Sequence, residues 1–165
     1  MVKAMFGDAS AKDALTALLR NKIFISTILS LCSAQALKVI VFFVYHRKRK
    51  VRELIEILMW RTGGMPSSHA ALVTALVTSV AFVEGIASNL FIFSFWFALV
   101  VLRDAMGVRR SAGLMAKALN DLGKQASEKA GIDFRLVKEI QGHTPLEVVV
   151  GGLLGVSIAA SFFLL

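Results

Sequence analysis

Four stretches of this chain are nearly free of charge, and the residues between them are polar, basic or turn-forming. Residues 23–45 are broken only by Gln35 and Lys38, residues 70–83 and 90–102 carry no charge, and residues 148–165 carry none either. A helix that crosses a bilayer needs about 20 predominantly apolar residues. The first and last stretches meet that length outright, and the middle two meet it if their helices extend over 67–87 and 89–108. Residues 85–89 leave room only for a tight connection, so the second and third spans form a hairpin. The pattern predicts an all-α integral membrane bundle of about four transmembrane helices in one domain, 1–165. An N-terminal surface segment covers 1–21 and the helical core covers 22–165.

Two further elements follow from periodicity. Met115, Ala118, Leu119 and Leu122 recur at helical spacing opposite Lys117, Asp121 and Lys124, which predicts an interfacial amphipathic helix over 111–130. The third apolar stretch is short, about 20 Å at 1.5 Å per residue against a hydrocarbon core of about 30 Å. It is therefore either a short helix beneath other elements or one that carries Arg103 and Asp104 below the headgroups. An ionisable pair at that depth is a functional candidate; the bland alternative is an ion pair at the interface.

Composition agrees with the pattern. Of 165 residues 56% are hydrophobic, and the mean hydropathy is +0.70. Lys3, Asp8, Lys12, Asp13 and Arg20 leave no apolar core for a secretory signal in the first twenty positions. Cys32 is alone in an apolar run, so no disulfide or metal framework is implied, and a small buried hydrophobe is the expected role. The net charge of +8 is unevenly placed. Residues 46–61 hold six Lys/Arg and residues 103–138 hold eight, against four in residues 1–22. Counting four spans puts both basic segments on one side. Anionic lipid headgroups and the positive-inside rule explain them more simply than nucleic acid does, so no nucleic-acid partner is expected. That face is expected to be cytoplasmic, in a plasma (inner) membrane, although a phosphate site would gather Lys and Arg as well. Two spans are short, which leaves pairing of two copies open.

The candidate chemistry lies at the mouths of two spans. Gly63-Gly64-Met65-Pro66-Ser67-Ser68-His69 opens the second, and Gly142-His143-Thr144-Pro145-Leu146-Glu147 opens the fourth. Helix entrances present backbone N–H groups and the positive end of the dipole, which favours a bound anion. Thr144, Pro145 and Glu147 fit a capping box, which is one complete account of Glu147. The other is that Glu147, four residues after His143, reaches back to the imidazole and fixes its tautomer. Ser67 and Ser68 offer hydroxyl and N–H donors, and His69 is placed to give a proton to a leaving oxygen. Arg109 and Arg110 supply fixed positive charge for a phosphate, with Lys138 five residues before His143. Lys38 must face the protein interior or snorkel, with Gln35 one turn earlier. Asp104 is a candidate to orient an arginine or His69. No metal ligands cluster, and no cofactor is called for.

Three ordered motifs, Gly-Gly-Met-Pro-Ser-Ser-His-Ala, Asp-Ala-Met-Gly-Val-Arg-Arg and Gly-His-Thr-Pro-Leu-Glu-Val, resemble the divergent type 2 phosphatidic acid phosphatase family. The resemblance runs from about Gln35 to Gly155. It implies a small membrane protein related to lipid phosphatases and vanadium haloperoxidases. It further implies that His69 is the general acid, His143 the nucleophile and Glu147 its carboxylate partner. The chain departs from the superfamily in four places. Ser68 replaces a Gly, Glu147 replaces an Asp, Val137 stands where an Arg is usual, and the K-x6-R-P motif is missing. Lys38 and Arg61 are the substitutes nominated for that motif. The expected activity is hydrolysis of a lipid phosphomonoester or pyrophosphate through a phosphohistidine. The alternative is a lipid-phosphate binding or translocating protein without turnover, and behind it a structural membrane subunit.

Overall fold

The computed structural model describes residues 10–45, 64–139 and 142–165, with Tyr45 and Arg109 described by backbone alone. Every regular element among them is helical: α1 (Ala11–Arg20), α2 (Lys22–Tyr45), α3 (Ser68–Glu84), α4 (Asn89–Met106), α5 (Val108–Ala130) and α6 (Pro145–Leu164). The basic segment after α2, with Arg61, lies outside the described residues.

The punctuation of these helices is chemical. Ser10 and Asp13 form a capping box at the start of α1, an amphipathic helix with no buried residue. Ser67 caps α3, Ser88 caps α4 and Thr144 caps α6 through side-chain oxygens. Gly85 ends α3 at φ +81°, a backbone region that a residue with a Cβ rarely adopts, and so allows the tight return into α4. Gly131 ends α5 in the left-handed conformation.

α3 is the centre of the bundle, with α2, α4 and α6 packed around it and its closest union with α6. That union depends on glycine. A Cβ on Gly151 would meet the backbone carbonyl of Ser67, and one on Gly155 would meet that of Ala71. Bare backbone lets the helix axes approach, the usual route to association where lipid removes the hydrophobic drive between helices. Hydroxyls fix the register. Ser26 Oγ lies 2.6 Å from Ser79 Oγ, Ser30 donates to the Ala71 carbonyl at 3.1 Å, and Thr74 donates to the Gly152 carbonyl at 3.0 Å.

Helices α2 and α6, and the stretch beginning with α4, are long and apolar enough to cross a membrane; α3, at 17 residues, is shorter. Its apolar side chains up to Ala81 are wholly or partly covered by its neighbours, whereas Phe82 and Val83 are exposed. α4 is not hidden beneath other elements, since Phe93, Trp96 and Val100 are all exposed. It runs on through Arg103 and Asp104 to Met106, so the 18-residue helix is about 27 Å long at 1.5 Å per residue and carries that charged pair in its last turn. One expectation is corrected: Cys32 is exposed on α2 rather than buried. In a membrane helix an apolar run has no hydrophilic side, so hydrophobicity alone does not say which residues face protein.

Candidate functional site

The starts of α3 and α6 and the end of α4 meet at one end of the bundle. The Ser67 N–H donates to the Glu147 carbonyl at 3.0 Å, and the His143 N–H donates to the Ala105 carbonyl at 3.2 Å. Beneath this junction Ala70, Ala105 and Val148 form a buried apolar floor, with Leu102 and Met106 against it. The two helix N-termini therefore aim their dipoles at shared space above a floor that excludes water.

His143 is buried, 3% exposed. Its Nδ1 lies 2.9 Å from Glu147 Oε2. A carboxylate only accepts, so Nδ1 carries a proton, and in the neutral ring Nε2 holds the lone pair. The same Oε2 accepts from the Thr144 N–H at 3.2 Å, and the Glu147 N–H donates to Thr144 Oγ1 at 3.4 Å. Both readings of Glu147 thus hold at once: it completes the capping box and it orients the imidazole. Nε2 is buried and has no hydrogen-bond partner among the described residues. An unpaired buried imidazole nitrogen is costly, and such atoms are concentrated where a ligand or reaction is served.

His69, in the first turn of α3, faces the same space, with its ring centre 6.4 Å from that of His143. Its side chain is exposed, whereas Ser67 and Ser68 are buried. Ser67 Oγ accepts from the Ala70 N–H at 3.3 Å, which is its capping bond. Ser68 Oγ instead receives Lys38 Nζ at 3.4 Å. Lys38 faces the interior, 7% exposed. A cation at this depth in an apolar helix is expensive unless it serves a partner or a ligand. Asp104, partly buried, precedes the Ala105 carbonyl that holds His143.

The structure thus gathers His143, Glu147, Ser67, Ser68, His69 and Lys38. Arg110 and Lys138 are exposed, Arg109 occupies the second position of α5, and Arg61 is outside the described residues. Among the described residues no group of three His, Cys, Asp or Glu is placed to hold a metal ion.

Two supporting positions are not apparent from motif spacing. Gly142 packs on the backbone of Arg110, where a Cβ would collide, so the entry to His143 is seated on the first turn of α5. Asn120, buried within α5, pairs with both backbone groups of Val137 at 2.8 Å and reaches Glu139 Oε1 at 2.9 Å. A carboxamide inside an amphipathic helix, where it is a mediocre helix former, is the one signal that pointed there.

A helical integral membrane protein with paired histidines at two facing helix entrances is the class these features define. The chain belongs to the Divergent PAP2 family, whose pattern matches residues 19–158. It is 39% identical over 163 residues to the uncharacterized membrane protein YuiD of Bacillus subtilis (strain 168), covering 89% of this chain and 99% of that one. No solved structure matches it.

Proposed function

We propose that this protein is a lipid-phosphate phosphatase acting on a phosphomonoester or pyrophosphate headgroup at the cytoplasmic surface. The observation that carries the reading is the His143–Glu147 pair, with an unpartnered Nε2, beside Lys38–Ser68 at two converging helix N-termini. Membership of a phosphatase-related family supports it. In this scheme Nε2 attacks phosphorus and the bond to the lipid oxygen breaks. His69 gives its proton to the leaving alkoxide, then takes one from the water that attacks the phosphorus–nitrogen bond. Phosphate leaves and both imidazoles are restored. Lys38, Arg109, Arg110, Arg61, Lys138 and the Ser67/Ser68 donors neutralise the charge that spreads over the phosphoryl oxygens. Glu147 holds the tautomer and offsets the developing imidazolium; Asp104 orients a cationic neighbour. The substrate partner is a membrane lipid phosphate, and surrounding anionic headgroups hold the basic face.

A second reading, a binder or translocator of lipid phosphate without turnover, draws on the burial of Nε2, which is closed to solvent. One experiment separates the two. Purified protein in detergent is offered a panel of lipid phosphates and pyrophosphates, and phosphate release is measured beside His143→Ala and His69→Ala. Turnover abolished in both variants supports the phosphatase. No turnover on any substrate, with lipid-phosphate binding retained in both histidine variants and lost in Lys38→Met, establishes the binder.

A further inference from the structure

After Gly131 the chain runs back along α5, and three contacts hold it there: Phe134 packs on Gly123, Val137 pairs with Asn120, and Gly142 seats on the Arg110 backbone. Helix and return form a single arm about 35 Å long at 1.5 Å per residue. The base of that arm carries Arg109 and Arg110 on one strand and His143 on the other.

The arm has a face that none of the described residues covers. Val108, Met115 and Leu122 project from one side of α5 and are 64–70% exposed, with Leu119 between them at 46%. Ile132 and Leu136 on the returning segment are also exposed. The buried side of α5, at Asn120 and Gly123, is turned to the return instead. Lys117, Asp121 and Lys124 occupy the face opposite the apolar stripe, and α5 carries five Lys/Arg against Asp121 and Glu128. The stripe begins at Val108, directly after α4, whose exposed Phe93, Trp96 and Val100 already belong to the lipid-facing surface. The stripe thus follows this candidate membrane span directly in the chain, across the Gly107 corner.

We propose that this arm lies in the headgroup layer of an anionic membrane, with its apolar edge inserted and its basic ridge among the phosphates. The sequence periodicity predicts an interfacial helix; the structure adds the return as a second inserted strand of the same body. An apolar stripe opposite a basic ridge is the arrangement that holds helices in that plane. Because both strands end at the site, lipid contact along the arm also fixes where the arginines and His143 stand. The proposal does not depend on hydrolysis.

Spin labels test it. Met115→Cys, Leu122→Cys and Leu136→Cys report the apolar edge, and Lys117→Cys and Lys124→Cys the opposite face, all in a Cys32→Ala background. Nanodiscs contain phosphatidylcholine with or without phosphatidylglycerol. The expected result is that oxygen, which concentrates in hydrocarbon, relaxes the first three labels more than a water-soluble nickel chelate does. The order reverses at the two lysine positions, and the contrast shrinks without phosphatidylglycerol. Equal nickel accessibility on both faces overturns the proposal. So does protection of the edge from both reagents with dipolar broadening, which identifies a second copy as its occupant. A contrast indifferent to phosphatidylglycerol overturns the anionic preference.

Discussion

Glu147 serves two roles through one oxygen, and they separate by substitution. Glu147→Gln keeps a side-chain acceptor for the Thr144 N–H, so the helix start survives while the charge beside His143 is lost. Turnover is expected to fall by about 10²–10⁴-fold, the range for disturbing a positioned acid–base group, with the melting temperature shifted by no more than a few degrees. Thr144→Ala is expected to do the reverse, lowering stability by about 1 kcal/mol for the lost cap and leaving the imidazole pair in place. Phosphate release and thermal unfolding in detergent read the two effects. The pairing of His143 with Glu147 was legible because four residues is one helical turn. The partner of Lys38 was not. Its reach to Ser68 depends on the register of α2 against α3, which is fixed by Ser26 with Ser79 and Ser30 with Ala71, thirty or more positions apart in sequence. Lys38→Met removes the buried charge at similar volume. Lipid-phosphate affinity is expected to drop by about tenfold or more, as for the loss of one charge-assisted contact.

At the scale of elements, the α3–α6 contact decides whether the two helix entrances meet. Gly151 lies directly against the Ser67 carbonyl, three residues after Val148 of the floor of the site. Gly151→Val is expected to push the helices apart, cost about 1–3 kcal/mol by overpacking, and break the Ser67–Glu147 backbone bond that aligns the entrances. Gly152 is its control. A Cβ there reaches Thr74 Cγ2 at 3.5 Å, ordinary contact, so Gly152→Ala is expected to change stability by less than about 0.5 kcal/mol. Thermal unfolding of the two variants side by side gives the comparison. Adjacent glycines look alike in sequence, and only the helix crossing distinguishes them. The helices themselves were readable from apolar length, including the hairpin at Gly85 and the amphipathic α5. What apolar length does not encode is facing, because lipid and protein interior accept the same side chains. Cys32 turned outward for that reason, and α3 became the shielded centre.

Across the whole molecule, one end gathers the helix entrances, the α4–α5 corner and the arm, and the opposite end holds the α3–α4 hairpin. Among the described residues, Arg103, Arg109, Arg110 and the lysines of the arm belong to the first end, and Arg20 and Lys22 precede α2 at the other. If Lys/Arg counts set orientation, as they do over short loops, the site faces the cytoplasm and the hairpin faces out. The alternative is that these charges serve phosphate and say nothing of topology. Single cysteines in a Cys32→Ala background decide between them in intact cells. Ala87, exposed in the hairpin, and Lys138, exposed on the arm, are suitable positions. A membrane-impermeant thiol reagent is expected to label Ala87→Cys directly and Lys138→Cys only after permeabilisation. The opposite pattern places the histidines outside, and a lipid phosphate of the outer leaflet then becomes the ligand to test. Labelling of neither position before permeabilisation means that α3 and α4 do not bring their hairpin across. In that case α3 is a buried re-entrant helix, and the 17 residues that make it the shortest of the four apolar helices are the reason.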